Sequence, residues 1–188
     1  MFGINLSMPY KQAVIPYLDD LTESARLIGA VNTVLHQDGL LIGHNTDGIG
    51  FFKSLETLRT FHVRNKRLTI LGGGGASTAI IAQAAIDGAK EINIFCRPQS
   101  VERTVATVQT IAQTTGVSLQ VLPNNDSQLL AEHINNSDLL INGTSVGMDG
   151  TSLPLPATIR FPEELLVADV IYQPFETPLL KMANSQGN

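Results

Sequence analysis

Five short apolar segments that alternate with helical stretches constrain the fold of this chain more than any other feature. They are rich in Leu, Ile and Val and lack the polar and apolar alternation of a sheet that faces water on one side. Residues 76–87 and 101–115, which lie between them, are typical of helical crossovers. We therefore predict an α/β fold with a doubly wound parallel sheet over residues 59–188. The five predicted strands lie at residues 67–71, 91–95, 118–122, 138–141 and 166–171.

Residues 1–58 have a different pattern. The pair Asp38-Gly39 predicts the turn of a β-hairpin at residues 31–43, and a helix is predicted at residues 49–58. A few helices and one hairpin of this size bury too little surface to offset the entropy of the chain. We therefore interpret residues 1–58 as part of a smaller α/β domain that precedes the doubly wound sheet.

The composition excludes several functional classes. The chain has 12 Lys and Arg against 17 Asp and Glu, a formal net charge of −5, so we expect no nucleic-acid partner. Its one cysteine, Cys96, cannot form an internal disulfide, and its Cys and His residues lack the spacing of a zinc site. No run approaches the roughly 18 to 20 apolar residues that cross a bilayer. These observations favour a cytoplasmic protein without a metal or a membrane partner.

A glycine-rich segment carries the clearest chemical signal. Gly72 to Gly75 follow a predicted strand and precede a helix, where glycines permit a tight turn and the helix N–H groups attract a pyrophosphate. The segment departs from the G-x-G-x-x-G pattern because residue 77 is Ser, so a flexible turn without a ligand is the alternative. After the second strand, Arg97 lies where an acid would hold the ribose of NAD. A positive charge there favours NADP, and a solvated loop arginine is the alternative.

Six polar and glycine-containing segments occur along the chain in a set order. They are Asn5–Lys11, Gly29–Thr33, Asn45–Gly48, Gly72–Ala76, Asn142–Met148 and Asp169–Pro174, the last of which is followed by Thr177–Leu180. In content, order and spacing this set resembles the shikimate/quinate dehydrogenase family over nearly the whole chain. The resemblance implies a Rossmann-like dinucleotide-binding domain at residues 59–188, preceded by part of a smaller α/β substrate domain at residues 1–58.

The resemblance also implies an activity and a set of site residues. The implied activity is that of an oxidoreductase that reversibly reduces 3-dehydroshikimate to shikimate with NADPH, or acts on the quinate equivalent, in aromatic amino acid biosynthesis. By motif, Lys11 and Asp47 are the expected catalytic pair, because an ammonium can stabilise the charge on a carbonyl oxygen as hydride arrives and can supply the proton. The other expected roles are substrate contacts by Ser7, Asn32 and Tyr172; pyrophosphate contacts by Gly72, Gly74, Gly75 and Ala76; a phosphate contact by Arg97; and a nicotinamide-side loop with Thr144, Ser145 and Met148.

The sequence departs from the family's pattern in two respects. Cys96-Arg97-Pro98 replaces the usual Asn-Arg-Thr, which keeps NAD or dual use open. The family's opening βα unit with its paired serines, and its closing segment with a substrate-binding glutamine, are missing. We therefore expect an unfinished substrate cleft with weak or absent activity. We also expect exposed apolar surface that favours self-association, such as a homodimer.

Two other functions stay open at this point. A non-catalytic dinucleotide-binding fragment needs only the glycine turn and the strand-helix-strand pattern. A different two-domain NADP enzyme, acting on folate carbons or related to glutamyl-tRNA reductase, would share the cofactor domain. The combined motifs of Lys11, Asn32 and Asp47 argue against both. The sequence does not choose between shikimate and quinate as the small-molecule partner.

Overall fold

The computed structural model describes residues 2–7 and 9–188. The first part of the chain forms a four-stranded sheet with short helices. The elements of this part are β1 (Gly3–Asn5), α1 (Tyr10–Ala13), a 3₁₀ turn (Ile15–Tyr17), β2 (Asp20–Leu21), α2 (Glu23–Ile28), β3 (Thr33–Gln37) and β4 (Leu40–His44), followed by α3 (Asp47–Arg59). The strand order is β1-β3-β4-β2. β1 pairs antiparallel with β3, and β2 pairs parallel with β4. Neither β1 nor β2 was predicted.

The predicted hairpin is present as β3 and β4. Asp38 and Gly39 have φ angles of 53° and 85°, and a two-residue type I′ turn requires positive φ at both positions. The buried core of this sheet consists of Ala25, Val31 and Val34. This small core agrees with the expectation that the first part of the chain buries little surface by itself.

The second part is a five-stranded parallel sheet. Its strands are β5 (Arg67–Leu71), β6 (Glu91–Cys96), β7 (Ser118–Pro123), β8 (Leu139–Asn142) and β9 (Leu166–Asp169), in the order β7-β6-β5-β8-β9. Every neighbouring pair is parallel. The helices are α4 (Gly75–Ile86), α5 (Val101–Thr115), α6 (Ser127–Asn135) and α7 (Pro178–Gln186). The predicted α/β fold class with a doubly wound sheet is confirmed.

The strand order defines where a ligand can bind. From β5 the chain passes to β6 on one side, and β8 lies on the other side of β5, so the order reverses between β5 and β8. In open α/β sheets, ligands bind at such a switch point, beside the carboxyl ends of the strands. Those ends are Leu71 and Asn142, which lead directly into the glycine turn and into the loop that begins at residue 143.

Helix α3 connects the two parts by packing against α4. Phe52 and Leu55 of α3 belong to the same buried core as the parallel sheet. Gly48 lies so close to α4 that an added Cβ would be 2.7 Å from Cβ of Gln83. α3 begins at Asp47, two residues before the predicted start, because the Asn45 side chain accepts a hydrogen bond from the Asp47 N–H at 3.1 Å. The start of α3 is therefore held beside the parallel sheet.

The helices of the described residues are short. The longest, α5, has 15 residues. Within residues 2–7 and 9–188, no helix has the length and apolar composition that crossing a membrane requires. The division of the chain between residues 58 and 59 falls at the end of α3 and stays a prediction.

Candidate active site

Lys11 and Asp47, the predicted catalytic pair, form an ion pair. Nζ of Lys11 donates a hydrogen bond to Oδ2 of Asp47 over 2.7 Å. Lys11 lies in α1 and Asp47 is the first residue of α3, so the pair joins two elements from distant parts of the sequence. The two side chains are 29% and 40% exposed, respectively, which leaves both groups accessible to a ligand.

Asn32 holds the second oxygen of the Asp47 carboxylate. Its Nδ2 donates to Oδ1 of Asp47 at 2.7 Å and to Oγ1 of Thr46 at 3.0 Å. Its Oδ1 accepts the N–H of Thr46 at 3.0 Å. Since both hydrogens of the amide have partners, the geometry makes Asn32 a residue that orients Asp47. Its contact with a substrate hydroxyl stays a prediction.

Asn45 belongs to the site but was not among the predicted residues. Its side chain donates to the carbonyl of Ala30 at 3.0 Å and accepts the N–H of Asp47 at 3.1 Å. The residue is 2% exposed, so these bonds are shielded from competing water. Asn45 therefore fixes the turn that presents Asp47. An Asn two residues before the start of a helix is a local signal that could have identified it.

The ion pair lies in a cleft of about 860 Å³ between the first part of the chain and the carboxyl edge of the parallel sheet. On the sheet side, the start of α4 and the loop after β8 form the wall. The cleft brings together predicted residues of all three kinds, catalytic, substrate-binding and cofactor-binding: Lys11, Asp47, Gly75, Ala76, Thr144, Ser145, Met148 and Tyr172.

A second cavity of about 350 Å³ lies beside the first and shares Thr144 and Ser145 with it. Gly72 and Gly74 line it, together with the predicted phosphate contact Arg97. Arg103, in the first turns of α5, lines the same cavity and was not predicted to belong to the site. Its position early in the helix that follows the second strand of the parallel sheet was the sequence signal that could have identified Arg103. The two cavities together form a trough over the glycine turn.

The glycine turn has the shape that a dinucleotide requires. Gly72 has a φ of 99°, and an added Cβ would lie 2.7 Å from Cγ2 of Thr144, so the turn needs glycine there. At Gly74 and Gly75, an added Cβ would meet nothing within 4 Å, which shows open space above the turn. Helix α4 begins there without a side-chain cap, so its first N–H groups are free for a pyrophosphate. The residues present therefore fit a dinucleotide cofactor.

Comparison with known proteins shows which enzymes the chain is similar to. A family model described as the shikimate dehydrogenase substrate binding domain matches residues 1–34. The shikimate dehydrogenase (NADP(+)) of Streptococcus suis strain 05ZYH33 is 82% identical over 188 residues, which are 100% of this chain and 65% of that protein. Over its whole length, the chain is similar to shikimate dehydrogenases.

Solved structures of similar enzymes have the same fold. Shikimate 5-dehydrogenase from Listeria monocytogenes, in complex with shikimate and NAD, is similar with a TM-score of 0.93 and 41% identity. Quinate dehydrogenase from Corynebacterium glutamicum, in complex with NAD, is similar with a TM-score of 0.85 and 29% identity. In both cases the match covers 100% of this chain and 65% of the other. The chain therefore spans 65% of the length of these relatives.

Two residues that the shikimate dehydrogenase motifs assign to substrate lie in different surroundings. Tyr172 lines the large cleft and is 86% exposed. Ser7 is exposed in the turn before α1, where its carbonyl accepts the N–H of Tyr10 at 2.9 Å, and it lines neither cavity. The structure thus brings Tyr172, but not Ser7, to the cleft that holds the ion pair.

Proposed function

We propose that this chain carries the catalytic pair and the cofactor-binding part of a reversible NADP-linked shikimate dehydrogenase, or of an enzyme acting on the quinate equivalent. The observation that carries the proposal is the Lys11–Asp47 ion pair, which shares one cleft with the start of α4 and the loop after β8. The names of the relatives from S. suis and L. monocytogenes support shikimate as the substrate. The relative from C. glutamicum keeps quinate as a candidate.

The chemistry requires a positive group beside the oxygen of the reacting carbonyl. Bound NADPH would supply hydride to the carbonyl carbon. Lys11, held by its 2.7 Å bond to Asp47, stabilises the charge that grows on the oxygen and donates a proton to it. In the reverse direction the neutral amine of Lys11, which is the form left by the forward step, accepts the proton of the substrate hydroxyl. Asn32 and Asn45 hold Asp47 in place, so the pair needs little reorganisation when the substrate binds.

The second cavity supports NADP as the preferred cofactor. Arg97 and Arg103 line it, and no Asp or Glu is among the described residues that do so. Two guanidinium groups favour a 2′-phosphate, whereas a carboxylate would favour the free ribose hydroxyls of NAD. The relative from S. suis is named for NADP(+), whereas the two solved relatives from L. monocytogenes and C. glutamicum are complexes with NAD, so dual use is part of the proposal.

The oligomeric state and the cellular location of the protein are also proposals. A homodimer is supported by apolar side chains exposed in the first part of the chain, where Phe2, Ile4 and Tyr17 are 92%, 43% and 78% exposed. Light scattering that shows a monomer at all concentrations would contradict it. A cytoplasmic location is supported by the single cysteine, Cys96, which is buried and unpaired.

Binding and turnover test the proposed function separately. Calorimetric titration with NADPH and NADH comes first, followed by shikimate and quinate added to the cofactor-saturated protein. We expect NADPH to bind more tightly than NADH, and binding of one acid identifies the substrate. Binding of neither cofactor would refute the proposal.

Turnover is followed by the change in NADPH absorbance, with a matched pair of lysine variants. Lys11→Ala is expected to lower any turnover by about 100-fold or more. Lys53→Ala removes an exposed lysine that pairs with Glu56 at 3.3 Å outside the cleft, and should leave turnover unchanged. NADPH binding without Lys11-dependent turnover would instead favour a non-catalytic dinucleotide-binding fragment.

A further inference from the structure

A buried hydrogen-bond network lies behind the cleft, at the ends of two neighbouring strands. Asn142 ends β8 and Asp169 ends β9, and the two residues face each other in the parallel pairing. Thr177 precedes α7 and caps it, since its Oγ1 accepts the N–H of Leu180 at 3.3 Å. Asn142 and Thr177 are both 0% exposed. None of the three side chains lines the cleft, so the network does not contact a ligand directly.

Asn142 uses its whole side chain within this network. Its Nδ2 lies 3.1 Å from each carboxylate oxygen of Asp169 and 3.0 Å from the carbonyl of Val146. Its Oδ1 accepts the N–H of Thr144 at 3.1 Å and the Thr144 hydroxyl at 2.7 Å. The hydroxyl oxygen of Thr144 in turn accepts the N–H of Val146 at 3.1 Å. Asn142 therefore determines the path of the loop that carries Thr144 and the residues after it.

Asp169 connects that loop to a second segment that lines the cleft. Its Oδ1 accepts the N–H of Ile171 at 3.0 Å, and its Oδ2 accepts the hydroxyl of Thr177 at 2.8 Å. The residues that follow, Ile171 and Tyr172, also line the cleft. One carboxylate thus holds Asn142, the segment after β9 and the start of α7.

We propose that Asp169 is a positioning residue for the nicotinamide side of the cleft, acting through Asn142 on the Thr144 loop and through the Ile171 N–H on the segment that carries Tyr172. The inference rests on the proposed function and adds a residue that touches neither cofactor nor substrate. A carboxylate is required because all its partners donate hydrogen bonds, and an amide at this position would offer one oxygen acceptor in place of two. Leaving a buried donor unpaired costs enough to shift a loop.

The test compares two ligands that differ only at the nicotinamide end. NADPH would span the whole trough, whereas adenosine 2′,5′-bisphosphate would reach only the adenosine side. In Asp169→Asn, we expect NADPH binding to weaken about fivefold, as loss of one buried hydrogen bond predicts. Binding of adenosine 2′,5′-bisphosphate should stay within about twofold, because Arg97 and Arg103, which would hold its 2′-phosphate, lie outside the Thr144 loop. The fluorescence of bound NADPH, which reports the surroundings of the nicotinamide, should change in the same variant.

A control and a milder variant complete the test. Asp149→Asn removes another carboxylate that accepts two backbone N–H groups, from Thr151 and Ser152, but does not line the cleft, and it should change neither affinity. Thr177→Val removes one donor to Asp169 and should weaken NADPH selectively by about threefold. This variant decides the question if Asp169→Asn does not fold.

The possible outcomes are distinct. Equal weakening of both ligands in the variants, or no weakening of NADPH, would overturn the positioning role while leaving the proposed function intact. Failure of the unsubstituted chain to bind either ligand would refute the proposed function, and the inference with it.

Discussion

Substitution of Gly48 by Ala tests whether α3 packs on α4 as closely as the structure shows. An added Cβ would lie 2.7 Å from Cβ of Gln83 and 3.0 Å from the carbonyl carbon of Ala79, and closer still to the oxygen of that carbonyl. These contacts are shorter than real Cβ atoms tolerate, and Ala79 contributes helix backbone that cannot rotate away. The two helices must therefore separate to accept the methyl group.

Gly50 provides a matched control on the same helix. It is exposed, and an added Cβ there would meet nothing within 4 Å. Ala in place of a helical Gly stabilises by up to about 1 kcal/mol through helix propensity. Gly50→Ala should therefore raise the free energy of unfolding by up to that amount.

The difference between the two variants isolates the packing contribution. Gly48→Ala has the same gain in propensity but adds an overpacking cost of about 1–3 kcal/mol. Its free energy of unfolding should therefore lie about 1–3 kcal/mol below that of Gly50→Ala, and at or below that of the unsubstituted chain. Because Asp47 precedes Gly48, binding of shikimate or quinate to the NADPH-saturated protein should weaken in Gly48→Ala but not in Gly50→Ala.

Urea unfolding followed by circular dichroism measures both free energies. Equal m-values are required, because a change in m would mean that the compactness of one state had changed. If Gly48→Ala stabilises the chain as much as Gly50→Ala, then α3 does not contact α4 as described, and the argument that this contact places Asp47 is wrong.

Two further predictions concern the cofactor cavity and the response to acid. Arg97→Ala and Arg103→Ala should each weaken NADPH binding about tenfold, or about 1.4 kcal/mol, and should weaken NADH binding less. Calorimetric titration measures both affinities, and Arg160→Ala, which removes an exposed arginine, is the control. At Asp138, burial acts to raise the pKa of the carboxyl, but hydrogen bonds from the Arg67 N–H and from Lys66, with both positive charges, lower the pKa overall from its ordinary value of 3.8. The Asp138 contribution to stability is therefore present above the unfolded pKa and lost as pH falls through the lower folded pKa. Between about pH 6 and pH 3, urea unfolding should show that the free energy of unfolding falls less in Asp138→Asn than in the unsubstituted chain.

Each of these has a clear contrary result. Equal weakening of NADPH and NADH by the arginine variants would mean that the second cavity does not receive the 2′-phosphate. Equal loss of stability with acid in Asp138→Asn and the unsubstituted chain would mean that the contacts of Asp138 with Lys66 and Arg67 do not lower its pKa.

The strands of the parallel sheet were predictable because their signal is local. β5 occupies residues 67–71 and α5 residues 101–115, as predicted, since continuous burial requires an unbroken apolar run and crossover helices have their own period. β1 and β2 have three and two residues, too few to show a period. Their pairing with β3 and β4 depends on residues distant in the sequence, so only the tertiary structure reveals it.

The candidate site was predictable in part. The glycine turn has a physical reason that is visible in the sequence, whereas Lys11 and Asp47 were chosen through the resemblance of their motifs. Asn45 and Arg103 were missed because an isolated Asn or Arg has many ordinary roles, and only their contacts with Asp47 and with the second cavity distinguish them.

The sequence by itself determined the layered α/β architecture and the glycine turn, because apolar periodicity and the conformational freedom of glycine act over a few neighbouring residues. The tertiary structure decided that Nζ of Lys11 meets the carboxylate of Asp47 at 2.7 Å and that both face the start of α4. That arrangement depends on the pairing of β3 with β4, on the contact of Gly48 with α4 and on the strand order β5-β8. Each of these is a contact between distant residues, and its free energy is gained only when the whole core packs.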